Sequence, residues 1–135
     1  MTPTDYYIQY SERTEKTPAK ILADWESKDN VLTAIRYLHA QAGIASESGE
    51  ICDAIKAHVF YGKPIDRTHI MEEMGDLFWY LAILCRMLNL EFEKIMRANI
   101  DKLRATYGDA FSNERAINRD LTTERQVLDD VQRKG

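Results

Sequence analysis

Glycine and proline are scarce in this chain, six and three among 135 residues, and where they fall constrains the fold more than any other feature. Pro18, Gly62, Pro64 and Gly108 stand between segments of helical apolar periodicity, where helices start and stop. An all-α protein follows. Thr4 is placed to cap a helix over residues 5–15, and Pro18 breaks the chain after it. Asp29 or Asn30 caps a long stretch to Phe60, with a bend near Gly43 and an apolar stripe of Ile44, Ile51, Ile55 and Val59. Tyr61-Gly62-Lys63-Pro64 stops it. Asp66 caps the next helix, which runs to Leu88 through Ile70, Leu77, Leu81 and Leu84 and breaks at Asn89. Glu91 to Tyr107 forms an amphipathic helix through Phe92, Ile95, Met96, Ile100 and Leu103, ended by Gly108. Four core helices with short connections predict an antiparallel four-helix bundle with an extra N-terminal helix. The charged tail over residues 113–135 has room for one more helix, ordered by a partner.

At 15.7 kDa the chain is read as one domain over residues 1–135, large enough to fold without a disulfide. Its formal net charge of −4 and pI near 5.4 argue against binding long nucleic acid, whose backbone needs a basic face. Where the surplus acid sits is then the question. Cys52 and Cys85 lack CxxC partners and read as reduced, buried thiols in a cytoplasmic protein. The start Met1-Thr2-Pro3-Thr4-Asp5 does not resemble a secretory signal. The longest apolar run, Leu77 to Cys85, falls far short of the ~20 residues of a membrane span.

Familiar sites are excluded by reading. A P-loop would need glycine at Ala57 and Ser or Thr where Pro64 follows Lys63, and no HExxH, GxSxG or GxGxxG occurs. None of His39, His58 and His69 lies three residues after a glutamate, as di-iron bundles require. What remains is two carboxylate pairs, Glu47-Ser48-Gly49-Glu50 and Glu73-Met74-Gly75-Asp76. Residues three apart share one side of a helix, so each pair can hold a divalent cation. The same spacing at Glu12/Glu15, Glu26/Asp29 and Glu50/Asp53 is the background of solvated faces. The central pairs differ from it in three ways. They lie in the most apolar helices, each carries a glycine that costs ~1 kcal/mol in a helix interior and points to close approach of a backbone or ligand, and the turn at Tyr61 to Ile65 folds one helix back on the other. Two like charges ~4 Å apart repel by about 4 kcal/mol at an effective dielectric of 20, so converged carboxylates take up protons or a cation. Mg²⁺, with Mn²⁺ as substitute, prefers carboxylate oxygen and keeps waters that a phosphate can displace. The competing reading is separate surface carboxylates.

The pattern Glu47-x-x-Glu50 followed by Glu73-x-x-Asp76 resembles the ExxE(12–28)ExxD signature of the MazG-like, all-α nucleoside triphosphate pyrophosphohydrolases. The likeness extends to Gly43 to Ile51, Glu72 to Leu81 and Asn99 to Gly108, covers about residues 30–112, and reaches more weakly to Tyr7 to Thr14. It implies Mg²⁺-dependent hydrolysis of a nucleoside triphosphate, often a deoxynucleotide, to the monophosphate and pyrophosphate. By position, Glu47, Glu50, Glu73 and Asp76 are then the catalytic metal ligands, and one of them, or Glu72, orients the attacking water. Asn99 and Lys102 occupy the family's Asn-x-x-Lys positions, where they contact phosphate or sugar, against the alternative of an exposed polar face. Tyr107 stacks on the base or closes its helix. Tyr80, four residues after Asp76, lines the nucleotide pocket or packs in the core. Gly108 stands where many relatives have proline. The resemblance also implies a site completed by a neighbouring subunit, in a homodimer or homotetramer. Phe78, Trp79 and Tyr80 in a row support this independently, because one helix face cannot bury all three in a small monomer. The rival functions are a non-catalytic nucleotide- or metal-binding regulator and a structural helical interaction protein.

Overall fold

The structure, a computed structural model, describes residues 2–26, 30–108 and 110–133. Seven α-helices and no strand form among the described residues: α1 (Pro3–Thr14), α2 (Pro18–Glu26), α3 (Val31–Tyr61), α4 (Arg67–Leu88), α5 (Phe92–Tyr107), α6 (Asn113–Ile117) and α7 (Leu121–Arg133). The all-α class is as expected, and most boundaries follow from local caps. Asn30 accepts the Thr33 amide at 2.9 Å, while Asp29, the other candidate cap, lies outside the described residues. Asp66 accepts the amides of Thr68 and His69 at 3.0 and 3.1 Å. Gly62 and Asn89 end α3 and α4 in the left-handed region, at φ 67° and 52°. The His58 ring nitrogen Nδ1 donates to the Lys63 carbonyl at 2.7 Å and fastens the turn between them.

Two boundaries differ from expectation. The cap of α1 is Thr2, not Thr4: its side chain and that of Asp5 bond each other's amides at 3.1 and 2.8 Å. Pro3 dictates this, because proline lacks an N–H and suits the first helical position. Pro18 likewise opens α2, where the Thr17 hydroxyl accepts the Lys20 amide. The long α3 runs through Gly43 as a single helix.

The helices assemble as two pairs. The tight turn over residues 62–66 folds α4 antiparallel on α3, and α7 folds back on α5. Among the described residues little besides the link Asn89–Glu91 joins one pair to the other. The apolar stripe of α5, expected in a core, stays open, with Met96 57% exposed. Phe78 and Trp79 are open as well. Among the described residues the buried apolar side chains are only Ala40, Cys85 and Ala98, and Cys52, expected to be buried, is exposed on α3. The accessible surface is 11155 Å², against about 7,300 Å² for a compact monomer of this mass. In the C-terminal tail α7 packs on α5 of the same chain. Buried Glu124 accepts the Thr106 hydroxyl at 2.8 Å and a two-pronged bond from Arg119, clamping α7 to α5. Among the described residues no helix is long and apolar enough to cross a membrane.

Candidate metal centre

The contact that sets the register of α3 on α4 lies between Gly43 and Tyr80. A Cβ on Gly43 would stand 2.2 Å from the Tyr80 ring, so only glycine lets the two helices meet there. His39 and Trp79 stand edge-on to the same ring, with centroids at 5.6 and 5.0 Å. One turn further along each helix, at i + 4 on α3 and i − 4 on α4, the same register brings Glu47 opposite Asp76. Glu73 lies one turn beyond Asp76. Carboxylate oxygens of Glu47, Glu73 and Asp76 all lie within 4.8 Å of one another.

Their environments differ. Glu73 is 8% exposed, Glu47 is half-buried and Asp76 is open to solvent. Burial pushes the Glu73 carboxyl above its ordinary value, and a hydrogen bond with Glu47 pushes the same way. The charges of Glu47 and Glu50 add to this, and His69 opposes it. The buried Glu73 carboxylate is therefore the acid of the trio whose charge is most costly without a cation beside it. Glu50, one turn along α3 from Glu47, is exposed and stands outside the trio, near enough for its charge to be felt at Glu73. All the donors are carboxylate oxygens, the set that suits a hard divalent cation.

The chain belongs to the MazG family. Residues 36–111, more than half of its length, match the MazG nucleotide pyrophosphohydrolase domain. No curated protein and no solved structure matches the chain. Within this MazG domain the other sequence-predicted residues lie apart from the carboxylates. The Tyr80 ring rests on Gly43, one turn from Asp76. Asn99 and Lys102 line a cavity of about 540 Å³ between α5 and α7. The Tyr107 ring lies tilted against Phe111 with centroids 5.5 Å apart, and its carbonyl accepts from Arg115. Asn99, Lys102 and Tyr107 thus stand on α5, away from the α3–α4 pair that carries the trio.

Gly49 and Gly75 are also not where the helices touch. Apart from their own stretch of helix, no atom lies within 4 Å of where their Cβ would stand, and the close approach expected there occurs at Gly43 instead. One residue at the centre was missed. His69 Nδ1 lies 3.1 Å from Glu73 Oε1, one turn earlier on α4. A search for histidine three residues after glutamate passes over it, whereas His-x-x-x-Glu beside an ExxD pair is the signal that finds it.

Proposed function

We propose that this MazG protein hydrolyses a nucleoside or deoxynucleoside triphosphate to the monophosphate and pyrophosphate, with Mg²⁺ as cofactor and Mn²⁺ as substitute. The observation that carries the reading is the convergence of Glu47, Glu73 and Asp76 across the α3–α4 pair of a MazG domain. These three and Glu50 hold the cation, which when bound supplies charge neutralisation for the triphosphate and acidifies a water. The chain's own residues do the rest. Glu47 and Glu73 present their carboxylate oxygens as ligands from facing helices. One of the four acids, or Glu72, takes the proton of the water that adds at phosphorus, as the bond to the departing pyrophosphate breaks. Asn99 and Lys102 contact phosphate or sugar, and Tyr80 and Tyr107 flank the base.

Because Asn99, Lys102 and Tyr107 stand on the other helix pair, the working site takes α5 of one copy and the carboxylates of another, in a homodimer or homotetramer. Two features support this: the open apolar stripe of α5 and a surface roughly 3,900 Å² above that of a compact monomer. We place the enzyme in the cytoplasm, where Cys52 and Cys85 stay reduced.

A panel of ribo- and deoxynucleoside triphosphates with Mg²⁺ tests the reading, scored for monophosphate and pyrophosphate. Glu50→Gln and Asp76→Asn are expected to abolish hydrolysis with helicity retained. Release of orthophosphate alone, or no turnover of any nucleotide, overturns it.

A further inference from the structure

The carboxylate trio does not account for His69. Its backbone amide is tied to the Asp66 cap at 3.1 Å, so the residue sits in the rigid first turn of α4. From there its ring reaches forward one helical turn to Glu73, Nδ1 to Oε1 at 3.1 Å. The side chain is 37% exposed, so the ring is only partly covered and the Glu73 contact is its one polar anchor in the metal centre. Glu73 is the most buried of the acids and the one shared between the trio and a second cluster with His69 and Glu72.

We infer that His69 is a positioning residue for the metal centre. Its Nδ1–H donates to Oε1, fixes the rotation of the Glu73 carboxylate and leaves the other oxygen free to serve as a ligand. Glu73 has no other cationic or histidine partner within salt-bridge distance among the described residues, so without His69 nothing of that kind fixes the rotation of its carboxylate. Partners of this kind, which hold a ligand without touching the metal, change metal affinity by about 10–100-fold when removed. The inference rests on the metal-centre reading above, and concerns which residue orients the ligand rather than whether there is one.

The test is Mn²⁺ binding to the full chain, followed by loss of the free-ion electron paramagnetic resonance signal, with circular dichroism on each variant. His69→Ala is expected to weaken binding at least tenfold with helicity unchanged. His69→Asn places an amide N–H where Nδ1 stands and is expected to recover affinity to within about threefold. His69→Gln, whose amide lies one bond further out, keeps polarity and helix compatibility and is expected to bind as weakly as alanine, which preserves the test should the alanine variant unfold. Electron spin-echo modulation of the loaded wild type should lack the signature of a directly bound ¹⁴N. Wild-type affinity in both His69→Ala and His69→Gln overturns the inference, as does a directly coordinated nitrogen that disappears in those variants. Failure of the wild type to bind Mn²⁺ overturns the metal centre itself.

Discussion

Glu73 and Glu124 are the two carboxylates buried by the described fold, and pH acts on them in opposite senses. Glu73 has its folded pKa raised, so the stability tied to its protonated form is present at acid pH and lost as pH rises through that value. At neutral pH its charge is therefore a burden on the metal-free fold. Glu73→Gln is expected to melt higher than wild type in chelator at pH 7, and to lose the rise in Tm that Mg²⁺ gives the wild type. A lower melting point for the variant in chelator contradicts this. Glu124 is held down to about 2, from an ordinary 4.5, by the Arg119 guanidinium first and the Thr106 hydroxyl next. Its contribution is present above the ordinary value and lost as pH falls through about 2. Glu124→Gln should lower Tm by several degrees at pH 7 and flatten the acid limb of the stability profile. A variant with the wild-type acid limb would exclude the clamp as its source.

At the level of helices, the Gly43–Tyr80 contact is the part of the α3–α4 pair least tolerant of added volume. Gly43→Ala forces overpacking against an aromatic ring, a change that costs roughly 1–3 kcal/mol. Denaturant titration should show that loss, and in a Tyr80→Ala background the same substitution should cost little, because the two residues share one contact. Additive effects would mean that the ring is not what excludes the methyl group. The helix ends were readable because they are local. Asp66, Gly62 and Asn89 act on their own turn, and their residue types announce it. The ExxE and ExxD pairs were readable because spacing puts each pair on one side of a helix, and the short turn makes those sides face. The pairing of α7 with α5 was not readable, since it depends on Glu124 meeting Thr106 and Arg119, a non-local match that no period in the tail reveals. The stripe of α5 was legible as apolar but not as unfilled, because periodicity reports that a face seeks cover and says nothing of which chain supplies it.

For the whole molecule, the open stripe and the division into two pairs bear on assembly. Light scattering coupled to size exclusion should give a mass of two or four chains, and a charge placed in the stripe, as in Ile100→Asp, should shift it toward one. A wild type that runs as a monomer at micromolar concentration excludes the shared site. Mixing supplies a sharper check. Glu73→Gln and Lys102→Ala, each inactive alone, should regain activity when unfolded and refolded together, since some sites then draw intact carboxylates from one chain and an intact lysine from the other. The link Asn89–Glu91 carries one more consequence. With little else joining the pairs, it is a seam at which the chain is divisible: a cut there parts a fragment bearing all four acids from one bearing Asn99 and Lys102. Two separately encoded halves meeting at that seam would make a split enzyme whose output reports their encounter.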